Sequence, residues 1–210
     1  MRRLAVRGNL EVRSLRVGVF GGSFDPPHVG HLLAAVDASE ALALDKLVFV
    51  PAANQPLKVA TPAIATARDR VEMVRRMVGD DPRFEVSEVE IDRGGLSYMV
   101  DTLEGLHSGQ TELFLILGMD AMATFDKWKS PERIRELATL AVLMRDDGGA
   151  GAALKAGDGM IAVNTRRLDV SSSEVRERLR QGKSIRGFVA ESVERYISAA
   201  NLYASAPRSS

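Results

Sequence analysis

Six short apolar runs alternate with segments of helical spacing along the chain. The runs are rich in valine, leucine, isoleucine and phenylalanine, a composition that favours strands buried on both faces of a sheet. They cover residues 16–21, 46–51, 84–91, 112–118, 139–145 and 160–164. Strands that alternate with helices indicate a parallel α/β sheet.

Between these runs, apolar residues recur three and four positions apart, as at Val71, Val74 and Val78, which predicts amphipathic helices. The predicted helices cover residues 29–44, 67–78, 98–107, 131–137, 173–181 and 190–200. The pattern predicts one domain built on a parallel α/β sheet. In such a sheet, ligands bind beyond the carboxyl ends of the strands.

Composition indicates a globular protein without an extended charged surface. The 210 residues are 45% hydrophobic, which is enough for a sizeable core. Lys+Arg and Asp+Glu number 28 each, which argues against nucleic-acid or membrane partners. The sequence has no cysteine, so thiolate chemistry and disulfides are excluded and a cytoplasmic protein is expected.

Three segments lie outside the strand and helix pattern. Residues 1–15 carry four arginines but lack the long apolar region of a secretory signal, so a poorly ordered N-terminal extension is expected, with a transit peptide as the alternative. Residues 146–159 are rich in glycine and alanine and predict a surface connection. Residues 204–210 predict a disordered tail.

The most informative chemistry lies in residues 21–31, GGSFDPPHVGH, between the first strand and the first helix. His28 and His31 are three residues apart in the first helical turn, where free backbone N–H groups attract anions. Gly30 leaves a gap between the two imidazoles that a nucleotide could enter. Two alternatives remain open: a structural histidine pair, and a metal site with Asp25 as third ligand.

This segment resembles the nucleotidyltransferase superfamily with its His-x-Gly-His signature, and within it the nicotinate mononucleotide adenylyltransferases. The Gly-x-Gly-x-x-Gly pattern of dinucleotide-binding sites is absent. The resemblance implies one nucleotidyltransferase domain over residues 16–203, a Rossmann-like doubly wound parallel sheet with a small helical C-terminal part. The implied activity is transfer of the adenylyl group of ATP to nicotinate mononucleotide, with Mg²⁺ held mainly by ATP. The resemblance also implies that His28, His31, Lys58 and Arg176 are catalytic. The ATP-binding residues implied here are Gly21, Gly22, Ser23, Phe24 and Gly30.

A serine run near the C-terminus opens a predicted helix and forms a second candidate anion site. Residues 166–186 contain seven basic and three acidic residues, a net charge of +4 in a neutral protein. Residues 170–176, VSSSEVR, resemble the family's Ile-Ser-Ser-Thr-x-x-Arg. The resemblance implies that Ser171, Ser172 and Ser173 bind ATP and that Arg176 holds a phosphate. The alternative is helix capping by Ser172 or Ser173 beside solvated arginines.

The acceptor pocket is implied by residues 90–103, which resemble the pattern Glu-x-x-Arg-x-x-x-Ser-Tyr-Thr-x-x-Thr-Leu. Arg93, Ser97, Tyr98 and Met99 would bind the acceptor, although Met99 replaces the usual threonine and offers only its backbone. The alternative is a helix with Ser97 as its N-cap. Trp128, the only tryptophan, would stack on the pyridine ring.

Three further residues complete the site that the resemblance implies. Gly118 and Asp120, in the sequence Leu-Gly-Met-Asp-Ala, would bind ATP, with Asp120 suited to a ribose hydroxyl or an ordered water. Lys58 would reach an ATP phosphate, with Arg68 as a helper, or either side chain could simply be solvated. Leu57 stands where the family has histidine. The proline-containing loop 52–65 could fold over a bound nucleotide.

Three other functions remain compatible with these residues. The first is adenylyl transfer to another acceptor, such as nicotinamide mononucleotide or phosphopantetheine. The second is a metal-dependent hydrolase, although His28, His31 and Asp25 would need a further ligand. The third is a nucleotide-binding sensor without chemistry. A homo-oligomer is compatible with each of them.

Overall fold

Six parallel strands form one sheet in a computed structural model that describes residues 13–58, 60–145, 160–166 and 168–204. Their order across the sheet is β3-β2-β1-β4-β5-β6. This confirms the predicted doubly wound parallel sheet. The strands are β1 (Leu15–Gly22), β2 (Lys46–Pro51), β3 (Phe84–Val86), β4 (Thr111–Gly118), β5 (Ala138–Arg145) and β6 (Met160–Thr165).

Eight α-helices are found in the described residues. They are α1 (Val29–Ala41), α2 (Ala67–Val78), α3 (Val89–Arg93), α4 (Met99–Leu106), α5 (Met119–Met122), α6 (Pro131–Leu137), α7 (Ser172–Arg180) and α8 (Glu191–Ala199). Short 3₁₀ turns cover Pro56–Lys58 and Phe125–Lys127. None of the helices in these ranges is long and apolar enough to cross a bilayer.

Alternating side chains of the central strands bury two separate cores, one on each face of the sheet. On β4, Phe114 and Ile116 join the core that also contains residues of α2 and α8. Leu113 and Leu115 face the opposite core, which is closed by α4 and α6. Burial on both faces explains why these strands are continuous apolar runs in the sequence.

The third predicted strand, residues 84–91, is wrong in its second half. β3 ends at Val86, and the chain then forms α3. The helix turns Glu90 inward, where it is 2% exposed and accepts a hydrogen bond from the Thr102 hydroxyl at 2.7 Å. A tertiary hydrogen bond to a buried carboxylate therefore decides the conformation of this segment.

The end of α1 and the start of β1 also differ from the prediction. α1 ends at Ala41 rather than at residue 44, because Ala43 adopts a left-handed φ of 46°. β1 begins at Leu15, inside the predicted N-terminal extension, where Leu15 pairs with Thr111. Residues 1–12, the connection 146–159 and residues 205–210 of the predicted tail lie outside the described residues.

The crevice that positions the candidate site lies between the carboxyl ends of β1 and β4. These neighbouring strands are the point where the strand order reverses, since β2 and β3 lie to one side and β5 and β6 to the other. Ligands of doubly wound sheets bind at this point. We call residues 21–27 the glycine turn; it begins with Gly21 and Gly22, the last residues of β1. Gly118 is the last residue of β4, so both predicted nucleotide segments reach the same edge of the sheet.

Candidate nucleotide site

The glycine turn at the end of β1 is closely covered by neighbouring side chains. A Cβ on Gly21 would lie 2.5 Å from Cε of Met99, and one on Gly22 would lie 3.0 Å from the Phe24 ring. Real Cβ atoms do not approach this closely, so only glycine fits at Gly21 without movement of Met99. The acceptor segment and the glycine turn are therefore in direct contact through Met99.

Phe24 does not present its side chain to a nucleotide. A left-handed φ of 49° turns its ring into the core, where it is 2% exposed. The ring packs edge-on against Phe49 at 5.8 Å and against His31 at 5.1 Å between ring centroids. The buried ring supports His31 from behind, so a contact of Phe24 with ATP would come from its backbone.

The two histidines form one stacked unit at the start of α1. Their ring centroids are 3.8 Å apart, and the backbone N–H of His28 donates to Nδ1 of His31 at 3.1 Å. Because Nδ1 of His31 accepts this hydrogen bond, the neutral His31 ring carries its proton on Nε2. Nε2 of the neutral His31 ring is thereby fixed as a hydrogen-bond donor.

Gly30 does not leave an open gap between the histidines. A Cβ at this position would lie 2.9 Å from Nδ1 and 3.0 Å from Cε1 of His28. The predicted space is filled by the His28 ring itself, which explains why glycine is required there. The Nδ1 atom of His28 is buried and has no hydrogen-bond partner within the described ranges.

The first turn of α1 keeps one free N–H group rather than several. The Val29 N–H donates to the Phe188 carbonyl at 2.9 Å, and those of His31 and Leu32 donate to the His28 carbonyl. Among the described residues, Gly30 is the one position in this turn whose N–H has no acceptor. The candidate anion site at the helix start would therefore consist of the Gly30 N–H and the two imidazoles.

Both imidazoles are held in their neutral form at pH 7. Burial lowers the pKa of His28 to about 4. Burial, followed by repulsion from His28, lowers the pKa of His31 well below its usual value. An anionic ligand placed against the rings would oppose both effects, because a nearby negative charge favours the protonated form.

These pKa shifts predict a loss of stability in acid. The unfolded chain, with a histidine pKa near 6.5, binds a proton that the folded protein excludes down to pH 4. The free energy of unfolding therefore has its full value above pH 6.5 and falls as the pH drops towards 4. At pH 5 the loss from His28 alone is about 2 kcal/mol. Urea unfolding of the wild type and of His28→Asn between pH 8 and pH 5 measures this. If the unfolding free energy falls equally with pH in both proteins, His28 is not the source of the acid sensitivity.

Asp25 is a structural hub rather than a metal ligand. Its carboxylate accepts hydrogen bonds from the N–H groups of Ile64 and Ala65 at 2.7 and 3.0 Å and from the Tyr203 hydroxyl at 2.7 Å. No cluster of three or more metal-ligating side chains occurs in the described part of the chain. Asp25 thus turns away from the histidines and holds the far end of the 52–65 loop.

The serine segment packs directly on the glycine turn through the start of α7. Ser171 is the N-cap, since its hydroxyl accepts from the Glu174 N–H at 3.1 Å, so the capping alternative named the wrong serine. The Ser172 hydroxyl donates to the Pro26 carbonyl at 2.8 Å. The start of α7 is thereby fixed beside the start of α1.

Arg176 reaches the same turn but is engaged by the protein. Its Nη1 donates to the Asp25 carbonyl at 2.6 Å, and Nη2 donates to the Ser173 hydroxyl at 3.1 Å. Its side chain remains 22% exposed. The guanidinium is therefore positioned at the edge of the crevice by two neutral oxygens.

Arg70 is a site residue that the sequence analysis missed. It is 2% exposed, and its guanidinium donates to the Ser23 carbonyl at 2.8 Å and to the Ala53 carbonyl at 3.3 Å. Arg70 thus joins the loops after β1 and β2. Its position among Val71, Met73 and Val74, on the buried side of α2, is the one sequence signal that could have indicated it.

The loop after β2 is closed at its base by the acceptor segment. The Ser97 hydroxyl accepts from the Ala53 N–H at 2.8 Å, and the Ser97 N–H donates to the Asn54 carbonyl at 2.8 Å. Ser97 is therefore not a helix cap, since the N-cap of α4 is Tyr98. A cavity of about 260 Å³ lies inside this loop, and its wall includes Ser23, Asn54, Thr61, Arg70 and Leu96.

The outer residues of this loop are less informative. Leu57 is 55% exposed, and Arg68 is exposed at the start of α2. The predicted side-chain contact of Lys58 lies outside the described residues. The far end of the loop is held by the Asp25 carboxylate, which accepts from Ile64 and Ala65, so this end lies beside the glycine turn.

The predicted acceptor residues flank this cavity. Arg93 is exposed, and its guanidinium donates to the Thr102 hydroxyl at 3.4 Å. Tyr98 is half-buried, with Nζ of Lys129 at 4.6 Å from its ring centroid. Lys129 also pairs with Asp101 at 2.9 Å, which docks the segment around Trp128 on the start of α4.

Trp128 and Asp120 lie at the β4 side of the crevice. Trp128 is half-buried, with its ring centroid 5.6 Å from that of Phe125. The indole thus packs beside a buried core residue while part of the ring stays accessible. Asp120 is exposed in the first turn of α5, directly after Gly118, whose Cβ position is open.

Comparison with known proteins connects this geometry with one family. Residues 19–178 match the family described as cytidylyltransferase-like. A curated protein from Gemmatimonas aurantiaca, named "Probable nicotinate-nucleotide adenylyltransferase", is 45% identical over 204 residues, covering 93% of this chain and 96% of that protein. A protein of the same name from Thermus thermophilus is 44% identical over 192 residues, covering 90% and 100%.

Solved structures share the fold at lower identity. The Plasmodium falciparum nicotinic acid mononucleotide adenylyltransferase complexed with APC matches with a TM-score of 0.72 and 18% identity, covering 90% of this chain and 97% of that one. The same enzyme complexed with NaAD gives the same values. These matches agree with the doubly wound sheet described above.

Proposed function

Because this chain belongs to the nicotinate-nucleotide adenylyltransferases of the cytidylyltransferase-like family, we propose that it transfers the adenylyl group of ATP to nicotinate mononucleotide. The products are nicotinate adenine dinucleotide and pyrophosphate. The observation that carries the proposal is the stacked pair of His28 and His31 at the start of α1, at the point where the strand order reverses. We expect the reaction in the cytoplasm.

The reaction is an in-line displacement at phosphorus. An oxygen of the acceptor's 5′-phosphate attacks the α-phosphorus of ATP, the bond from that phosphorus to the oxygen bridging to the β-phosphate breaks, and pyrophosphate leaves. Negative charge develops on the α-phosphate oxygens and on the leaving group. The protein contributes by aligning two anions that repel one another and by offering donors to that charge.

His31 is the residue we assign to the α-phosphate. Its Nδ1 accepts from the His28 backbone, so the proton on Nε2 is available to an α-phosphate oxygen. The Phe24 ring behind it and the His28 ring beside it hold the imidazole in place. His28 and the Gly30 N–H would contact neighbouring phosphate oxygens. A preorganised donor of this kind stabilises the transition state without moving.

The remaining ATP contacts surround this pair. Arg176 and Lys58 would neutralise the β- and γ-phosphates, and Asp120 would accept from a ribose hydroxyl or an ordered water. We further assign nucleotide contacts to the backbone of Gly21, Gly22, Ser23 and Gly118 and to the start of α7 at Ser171–Ser173.

The acidic residues in the described part of the chain do not form a metal site of their own, and they are compatible with a Mg²⁺ ion that is bound mainly by ATP. The three hydrogen bonds to Asp25 occupy its carboxylate, whereas Asp120 is exposed at the end of β4. Asp120 could therefore bind a water of such an ion. When bound, Mg²⁺ would neutralise charge on the ATP phosphates.

The acceptor would lie between the Ser97–Met99 segment and Trp128. A supported indole face suits a flat, cationic pyridine ring. Met99 has no hydroxyl, so donors to the pyridine carboxylate would be backbone N–H groups of this segment, with Arg93 as the nearby cation. This arrangement favours nicotinate over nicotinamide mononucleotide as acceptor.

A coupled pyrophosphate assay tests the proposed function directly. Purified protein with ATP is expected to release pyrophosphate with nicotinate mononucleotide, much less with nicotinamide mononucleotide, and none with phosphopantetheine. Mass spectrometry identifies the dinucleotide product. ATP binding without pyrophosphate release with any acceptor would leave a nucleotide sensor as the function and contradict this proposal.

We predict that Arg176→Ala raises the KM for ATP about tenfold with little change in kcat, because a phosphate contact made before and during the reaction contributes uniform binding. Arg180→Ala is the control, since Arg180 lies on the same helix in an exposed ion pair with Glu177. Steady-state kinetics with saturating acceptor measure both. Equal behaviour of the two variants would show that Arg176 only joins α7 to the glycine turn.

We predict that Trp128→Ala raises the KM for both pyridine mononucleotides about tenfold, because stacking on the ring does not distinguish acid from amide. Trp128→Phe keeps an aromatic face on Phe125 and is expected to retain most of the affinity. Met99→Thr should keep or increase the preference for nicotinate. An unchanged KM in Trp128→Ala places the pyridine ring elsewhere.

A further inference from the structure

The last described residues of the chain return to the glycine turn. After α8, left-handed φ angles of 50° at Asn201 and 61° at Tyr203 reverse the chain direction, and the Leu202 N–H donates to the Ile197 carbonyl at 3.0 Å. Tyr203 is 8% exposed and packs in the same core as Phe24. Its hydroxyl reaches Asp25, which lies 178 positions earlier in the sequence.

The Tyr203 hydroxyl donates the third hydrogen bond to a buried carboxylate. Asp25 is 4% exposed, and its Oδ1 accepts from Tyr203 and from the Ala65 N–H, while Oδ2 accepts from the Ile64 N–H. Burial, together with this hydrogen bond, raises the pKa of the Tyr203 phenol far above its usual value. The phenol is therefore a permanent donor to Asp25.

Arg176 lies just outside this group. Its Nη1 is 2.6 Å from the Asp25 carbonyl oxygen but 4.0 Å from Oδ2 of the same residue. A carboxylate that lost one of its three donors would attract the guanidinium more strongly, because an unsatisfied buried charge is costly. The Tyr203 hydroxyl thus favours the placement of Arg176 on the neutral carbonyl.

We propose that Tyr203 is a positioning residue for the nucleotide site, which holds the Asp25 carboxylate so that the loop end at Ile64–Ala65 stays docked and Arg176 stays available to phosphate. The C-terminal segment thereby becomes part of the active-site framework. This proposal rests on the proposed function for its kinetic consequence. Its structural consequence, the protection of two backbone N–H groups, does not depend on activity.

Hydrogen–deuterium exchange of Tyr203→Phe without substrates tests the structural part. Exchange at Ile64 and Ala65 is expected to rise at least fivefold, because the Asp25 carboxylate that accepts from them is no longer held by the phenol and shifts towards the Arg176 guanidinium. Tyr196→Phe is the matched control: Tyr196 lies on α8 and donates to Asp69 at 2.8 Å, but Asp69 has no contact with the glycine turn among those described. Unchanged exchange at residues 64 and 65, or an equal rise in Tyr196→Phe, overturns the proposal.

Kinetics then distinguish positioning from a general loss of stability. Tyr203→Phe is expected to raise the KM for ATP about fivefold with kcat within twofold, whereas Tyr196→Phe changes neither. If the effect acts through Arg176, adding Tyr203→Phe to Arg176→Ala causes no further rise in KM. A fully additive rise, or a loss confined to kcat, overturns the proposal. A wild-type protein without pyrophosphate release contradicts the proposed function alone, since the exchange experiment stands independently.

Discussion

Replacement of His31 by alanine is expected to lower kcat about 100-fold or more, while the KM for ATP changes much less. In the proposed reaction, the Nε2 proton of His31 would face charge that grows only as the bond to the leaving pyrophosphate breaks. Loss of one such donor removes about 3 kcal/mol of transition-state stabilisation. The fixed tautomer, set by the His28 N–H, is what makes the donor available before ATP binds.

Single-turnover and steady-state measurements on His31→Ala decide this role, and His107→Ala provides the control. His107 ends α4 and is exposed, so its removal should leave both constants unchanged. His31→Asn, which keeps a side-chain N–H donor, is expected to recover part of the lost kcat. Near-normal turnover in His31→Ala would falsify the assignment of His31 to the α-phosphate.

The fold could be predicted because its strands are nearly continuous apolar runs separated by helical spacing. β2, α2 and α6 have the predicted boundaries, and the other strands except β3 differ by one or two residues. β3 lies at the edge of the sheet and ends after three residues. Its continuation depends on a buried contact of Glu90 with Thr102, which no local pattern reveals.

The location of the site could also be predicted, because residues 21–31 combine glycines, histidines and a strand end within eleven consecutive positions. Its supporting contacts could not. Ser172 binds the Pro26 carbonyl across 146 positions, and Tyr203 binds Asp25 across 178. A single sequence carries no information on which distant residues meet, so Tyr203 and Arg70 were missed.

The direction of the Phe24 side chain could not be predicted from the sequence. The family resemblance implies that Phe24 belongs to the ATP site, and it does not indicate whether the ring or the backbone faces the ligand. The left-handed backbone at Phe24 instead sends the ring into the core, against Phe49 and His31. The conformation is rare for a non-glycine residue, and it persists because the surrounding core fixes the ring.

The packing around Gly30 leads to the second large expected effect. Gly30→Ala should lower kcat about 100-fold, because a displacement of about 1 Å in a catalytic group has this consequence. The new methyl group would meet the His28 ring at 2.9 Å. That ring is 9% exposed and stacks on His31, so it cannot move aside without displacing the His31 donor.

A second helical glycine provides the matched control for this effect. The Cβ position of Gly105, in α4, has no atom within 4 Å, so Gly105→Ala should raise the unfolding free energy by about 0.5–1 kcal/mol and leave kcat unchanged. Gly30→Ala also replaces a helical glycine by alanine, but the steric strain against His28 opposes the gain in unfolding free energy. The two variants therefore separate a general effect of alanine in a helix from displacement of the histidine pair. Unchanged kcat in Gly30→Ala would mean that the spacing of the two imidazoles is not required for adenylyl transfer.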